Sequence, residues 1–275
     1  MEKVNEMKNA GNAIHNLDVL GLPADHKRVR ILWMYPNSLH IHGGRGDLMA
    51  LLRFATMAKL PIEICRVDRL TDEIPLENAH MLYFCCGELE CAADIVKALE
   101  SQKEALFAFA EAGNVIVANG STGAILGKDL KLADGTVIPC LGLLGMHSVQ
   151  RTSIHGDDLW LDAIDGIEVI GNEIKRMDVT LDPEQAPFGT VRYGRGNCGD
   201  GKEGAVTRNV IYTTCLGPLL VRNPALAMAL LRRAAMAADM QIDEAQFALS
   251  PEAILHESKA LEETRIFIRK KMEKK

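Results

Sequence analysis

No excess of basic charge marks this 275-residue chain: 37 acidic residues stand against 31 basic ones, a formal net charge of −6. Nucleic-acid binding, which leaves a basic footprint, is thereby disfavoured. No apolar run approaches the roughly 20 residues a membrane-spanning helix needs. The polar segment from Met1 to Asn16 has no apolar h-region, so neither membrane insertion nor a secretory signal is expected. The seven cysteines are odd in number and irregular in spacing. They read as free thiols in a reducing compartment, which makes the expected location cytoplasmic. Internal repeats and low-complexity tracts are missing too. So are the Gly-Lys-Ser/Thr ending of a P-loop, a dinucleotide-binding spacing and any regular metal-ligand spacing. No metal and no cofactor are expected.

What is present is an ordinary globular composition, 48% hydrophobic and 25% charged, in a chain long enough to bury a sizeable core. The expected division is an N-terminal extension over residues 1–27, a main domain over 28–245 and a C-terminal helix over 246–275. In the extension only Leu17, Val19, Leu20 and Leu22 cluster, so it should dock late or stay mobile. Val29-Arg30-Ile31-Leu32-Trp33-Met34 is too short for a helix and reads as a buried strand. Leu48, Leu51, Leu52 and Ala55 then follow a helical i, i+3, i+4, i+7 spacing. Strands follow at 62–67, 80–85 and 114–118, with one helix running from about Ile95 toward Glu111. Strand-helix-strand at this spacing predicts a mostly parallel sheet with helices on both faces. Ligands of such sheets sit beyond the carboxyl ends of the strands, here residues 35–46, 86–91 and 119–123.

Between about Asp129 and Glu203 the pattern changes to short, glycine-rich runs. Strands are expected at 167–170, 189–193 and 209–213, some of them antiparallel. Asn223-Pro224 supplies an N-cap and an N1 proline for an apolar, buried helix through Ala238. From Ser250-Pro251 a last helix should carry a narrow seam of Ile254, Leu261, Ile268 and Met272.

Several residues could carry chemistry. Gly43-Gly44-Arg45-Gly46 before a helix could cradle an anion or simply make a tight turn. His40 and His42 read as structural or solvated rather than metal-binding. Cys85, Cys86 and Cys91 are readable as small buried thiols, because free cysteine behaves as a small hydrophobe.

Four islands then resemble one family. Tyr35-Pro36 with Gly43, Arg45 and Gly46 matches a tyrosine-proline … tyrosine-glycine-aspartate-arginine-glycine-asparagine pattern, with His42, Gly44 and Asp47 as departures. Phe188-Gly189-Thr190-Val191-Arg192-Tyr193-Gly194-Arg195-Gly196-Asn197-Cys198-Gly199, followed by Glu203-Gly204, resembles a glycine-asparagine-asparagine-glycine run with its downstream glutamate-glycine. Thr213-Thr214-Cys215-Leu216-Gly217-Pro218, leading into Asn223-Pro224, is similar to a threonine-tyrosine-leucine-histidine-glycine-proline signature. Gly123-Ala124-Ile125-Leu126-Gly127 resembles the tail of a nucleophile turn. Together they resemble the glutamine amidotransferase subunit of lipid II isoglutaminyl synthase, within the CobB/CobQ-like amidotransferases.

The resemblance implies a flavodoxin-like α/β class I glutamine amidotransferase fold, and glutamine hydrolysis by a cysteine–histidine pair. Aligned on the tail, the cysteine position falls on Gly120 and the histidine position on Leu216. Losing either member of such a unit costs on the order of 10⁶-fold in kcat. Ser121 and Cys86, and after them Cys91, are the substitute nucleophiles an active glutaminase would need. The turn 85–91 stands where the family has a glycine-rich, oxyanion-binding segment, which makes Gly87 a candidate substrate contact; Arg45 and Arg151 are two more. Glu173 resembles a family glutamate whose neighbouring histidine becomes Lys175, or is a solvated strand residue. The implied partner is a Mur-ligase-like ATP-dependent synthase. The expected function is a catalytically degenerate subunit. An active glutaminase, or a module binding glutamine or a related small carboxylate, is the alternative.

Overall fold

The computed structural model describes residues 13–274; residues 1–12 of the expected N-terminal extension lie outside them. The chain begins with β1 (Ile14–His15) and the single turn α1 (Leu17–Leu20), then β2 (Val29–Met34). Helix α2 (Gly44–Met57) leads to β3 (Ile62–Val67) and β4 (Met81–Phe84). Helices α3 (Ala92–Leu99) and α4 (Lys103–Glu111) precede β5 (Val115–Asn119). After β6 (Asp129–Lys131) and β7 (Val137–Pro139) come two long strands, β8 (Met146–Ala163) and β9 (Glu168–Leu181). The remaining strands are β10 (Gly189–Tyr193), β11 (Lys202–Glu203), β12 (Ala205–Thr207) and β13 (Val210–Thr213). Helices α5 (Leu219–Arg222), α6 (Pro224–Ala237) and α7 (Leu255–Met272) close the chain.

The main sheet runs β1-β3-β2-β4-β5-β13-β12, parallel from β3 to β13, with β1 and β12 added antiparallel at its edges. Its five parallel strands, taken in chain order, lie 2-1-3-4-5, the flavodoxin-like doubly wound order. Such a sheet has its crevice where the order reverses, here between the carboxyl ends of β2 and β4. Of these strands β2, β4, β5 and β13 are buried on both faces, which is why they are largely apolar runs rather than alternating ones.

Of the two fates expected for the N-terminal extension, its described end is docked: Ile14 and His15 pair with Ile64 and Glu63, and Asn16 donates to the Leu60 carbonyl at 2.9 Å. Two expectations are corrected here. The helix expected to run unbroken to Glu111 is split by a 3-10 turn at Glu100–Gln102. The apolar spacing of Ile95, Leu99 and Leu106 continues through that break, so periodicity alone does not reveal it. Asn223 does not cap α6; its side chain accepts from Ile170 N and donates to the Ile170 and Leu219 carbonyls.

A second sheet, ordered β11-β10-β8-β6-β7 with β9 also paired to β8, was not foreseen as a separate layer. Its main feature is the antiparallel β8–β9 hairpin. Helix α7 packs on that sheet through a separate small cluster: Ile268 and Leu261 against Trp160, Ile170 and Tyr193. Lys271 fixes the far end of the helix by donating to Asp157 at 2.8 Å and Asp158 at 2.7 Å. Met272, expected in the seam, is exposed instead, because the helix turns it past the end of the cluster.

Truncating Ile268 to alanine should therefore cost about 2–4 kcal/mol of docking energy. The expected result is release of α7 with the main sheet intact. Red-shifted emission from Trp160 and early proteolytic loss of the C-terminal segment would show it.

Candidate functional site

The loops from the carboxyl ends of β2, β4, β5 and β13 meet at one place. Tyr35 leaves β2 with φ 49, an uncommon conformation for a residue with a side chain. It is buried and edge-on to Phe84, with ring centres 6.4 Å apart. Gly44, opening α2, lies so close to Cys85 that an added Cβ would be 2.6 Å from the Cys85 Cβ. Glycine is thus required there for the loop to sit down on β4.

At the end of β5 the chain turns sharply through Gly120, with φ 63, into the 3-10 segment Gly120–Leu126. All seven residues of that segment are buried. A Cβ at Gly120 would lie 2.9 Å from Leu216 Cδ2 and 3.0 Å from Cys86 Cβ, and nearer still to the Cys86 sulfur. Thr122 Oγ1 accepts the Gly87 N–H at 2.8 Å, so the backbone donor expected to meet developing negative charge is already taken. Burial pushes the Cys86 thiol up to about 11, outweighing the lowering effect of the Ser121 and Thr122 backbone. A thiol so held is not a thiolate near neutrality. No histidine nitrogen among the described residues hydrogen-bonds to Cys86 or Ser121.

Leu216 is fixed in place by a pair of backbone hydrogen bonds with Asn172 of β9, at 2.8 and 3.3 Å. Around it are two buried carboxyl groups that the sequence reading did not single out. Asp47 of α2 accepts from Leu220 N at 2.7 Å, Tyr83 Oη at 3.1 Å and Asn119 Nδ2 at 3.4 Å. Burial raises its pKa to about 7 against the lowering effect of those three donors. Glu203 accepts from Thr214 N at 2.5 Å and Thr213 Oγ1 at 3.1 Å, and is likewise raised by burial to about 7. The available signal was positional: both residues lie within islands of the family resemblance.

The remaining candidates fall apart spatially. Arg45 is exposed on the first turn of α2. Arg151 lies on β8 and donates to Asp178 of β9 at 2.7 Å, as part of the hairpin. Cys91 is half-buried in a 3-10 turn, its thiol raised by burial and by Asp94, Glu88 and Glu90. Glu173 is not solvated: it is fully buried and accepts the N–H groups of Arg195 at 2.5 Å and Gly196 at 3.1 Å. Lys175 is buried beside it, donating to the carbonyls of Gly196 and of Asn197, the latter at 2.5 Å, with its pKa lowered by desolvation. Gly87, Cys86, Ser121, Thr122 and Leu216 thus share one closed site. No hydrogen bond or ion pair joins Arg45 or Arg151 to it. Among the described residues no group of three or more histidine, cysteine or acidic side chains could hold a metal ion.

A doubly wound sheet with a tight, glycine-apexed turn after its fourth parallel strand makes this a flavodoxin-like α/β protein. Residues 30–223 match the CobB/CobQ-like glutamine amidotransferase domain, and the chain belongs to that family. It is 25% identical over 216 residues to the GatD subunit of the glutamine-hydrolyzing lipid II isoglutaminyl synthase of Streptococcus pneumoniae. That match covers 75% of this chain and 80% of the relative. Among solved structures it is similar to a glutamine amidotransferase, at 16% identity and TM-score 0.48 over 74% of this chain and 98% of that one. It is also similar to PurLQS of Thermotoga maritima, at 13% identity and TM-score 0.46, covering 77% and 97%. No helix among the described residues is long and apolar enough to cross a membrane.

Asp47 gives the site a measurable pH signature. Its folded-state pKa, about 7, exceeds the ordinary 3.8, so between those values the folded protein binds more protons than the unfolded chain. Stability falls as pH rises through that window and levels off above it. The gap corresponds to on the order of 4 kcal/mol at full effect. Asp47→Asn, which restores the asparagine of the family pattern, should reduce the slope to the part contributed by Glu203 and leave the variant more stable than the parent at pH 8. Chemical denaturation at pH 4, 6 and 8 checks this.

Proposed function

We propose that this chain is a catalytically degenerate amidotransferase-type subunit, one that docks on a Mur-ligase-like ATP-dependent synthase in cell-wall precursor amidation. One observation carries the degeneracy: the space above the Gly120 turn holds Leu216 and the side chain of Cys86, with no activated nucleophile and no base. Covalent amide hydrolysis needs a nucleophile kept reactive by a neighbouring base. Ser121 has no such base, and the Cys86 thiol is held protonated. The docking part of the proposal draws on the printed name of the relative, which is a subunit of a synthase.

A surface for such a partner is formed where two of the family islands touch. Gly43 and Gly46 of the first pack against Pro218 of the third, and an added Cβ on them would meet Pro218 at 3.4 and 3.0 Å. Val221, 38% exposed, continues the patch beside Gly46. Arg45 projects from the same turn. Inside, Asp47 ties the two islands together through Leu220 N. The patch is therefore rigid and independent of the closed site, as a docking face retained after loss of chemistry requires.

Two outcomes are expected. Purified protein releases no glutamate from glutamine above a buffer blank, and Cys86→Ala and Ser121→Ala change nothing; glutamate release abolished by either substitution would make the chain an active glutaminase. Co-expressed with its Mur-ligase-like synthase, the chain co-elutes, and Arg45→Glu weakens the complex by at least tenfold while leaving its own unfolding midpoint unchanged. A chain that stays monomeric beside that synthase would end the docking reading.

A further inference from the structure

Residues 86 and 120 are two halves of one packing solution. The backbone at Gly120 has φ 63 and points the missing side chain at Cys86 and Leu216, each only 2% exposed. The Cys86 sulfur is the nearest of their atoms to that direction. It is buried against the turn, and its Sγ lies 3.8 Å from the Gly87 carbonyl oxygen. Gly87 is itself tied to the turn, its N–H donating to Thr122 Oγ1 at 2.8 Å, and has no room for a side chain, since a Cβ there would run into Leu39 and lie 3.1 Å from the Ser38 carbonyl oxygen.

We infer that Cys86 is a side-chain plug standing in for the side chain that the Gly120 turn no longer bears, so that a side chain can be held at 120 only when 86 is emptied. The chain still turns sharply at 120, and the turn still faces a sulfur atom. That sulfur now comes from the end of β4 rather than from the turn. The site is latent rather than dismantled, and two mutually dependent positions keep it closed. Restoring cysteine and histidine at 120 and 216 alone would drive the new side chain into Cys86, because a Cβ under 3 Å from fixed neighbours forces something to move. The inference takes from the functional proposal only the identity of Gly120 as the nucleophile position; the coupling is a matter of packing and needs neither partner nor glutamine.

The direct test is a double-mutant cycle read by thermal unfolding. Gly120→Ala should lower Tm in the parent chain by at least twice the drop it causes in a Cys86→Gly background, where the cost of positive φ and the single contact with the flexible end of Leu216 remain. Equal drops in both backgrounds would overturn the plug. If the Gly120→Ala chain does not accumulate as soluble protein, recovery of the Cys86→Gly/Gly120→Ala chain is the supporting result, and failure to recover it counts against. A second readout follows a glutamine-mimicking chloroketone by mass spectrometry. Cys86→Gly/Gly120→Cys/Leu216→His should form an adduct at position 120 at least tenfold faster than Gly120→Cys/Leu216→His. Equal rates sink the inference, whereas failure of partner binding alone leaves both tests untouched.

Discussion

The segment from Thr213 to Asn223 is the element on which the rest of the site depends, because it belongs to both sheets at once. It leaves the main sheet at the end of β13, pairs in passing with β9 through Leu216 and Asn172, and then starts α5 and α6. Polar groups with no access to water hold it: Glu203 at its start, Asp47 at Leu220 N, and Asn223 against the backbone of Ile170. Each has several partners, which is the condition for a buried polar group to fasten structure rather than weaken it. With the segment so held, Leu216 has a single place to be, and that place is over the Gly120 turn.

This arrangement separates two properties that usually travel together. The sharp bend at Gly120 and its neighbouring strand ends are those of a frame that could position a nucleophile. On the proposed reading the reactive groups have been replaced there by apolar packing. A leucine and a protonated thiol in a closed site contribute burial energy where an active site would spend stability on exposed, poised groups. The patch of Gly43, Gly46, Pro218 and Val221, proposed above as a docking face, is built on the same frame.

Much of the main sheet was legible from the sequence because its strands are buried on both faces and bounded by glycine and proline. The 62–67 strand and the helix of Leu48, Leu51 and Ala55 are where the apolar pattern puts them. The β8–β9 hairpin was not legible. Residues such as His155, Gly156, Asp157 and Asp158 lie on strands with one face toward solvent or toward α7, and they read as loop. Asn223 looked like a cap because its sequence context fits one, but a backbone 53 positions away competed successfully for its side chain. At the site, Gly120 and Leu216 could be marked from the resemblance alone. The sulfur of Cys86 above them could not, since that contact joins two strand ends and exists only after folding. The raised pKa values of Asp47 and Glu203 likewise arise from burial that no local pattern encodes.

The two residues of β1 cover one border of the main sheet. They lie along β3, the outermost parallel strand, whose backbone N–H and C=O groups would otherwise face solvent on that side. An open row of that kind recruits further strands from other molecules. Ile14 and His15 are thus a cover strip, and Asn16, hydrogen-bonded to Ile62 N at 2.8 Å, is the pin that keeps the strip in register. A shortened chain starting beyond Asn16 would keep its core yet offer that bare border to its neighbours, and self-association would follow from an edit far from every residue of the closed site.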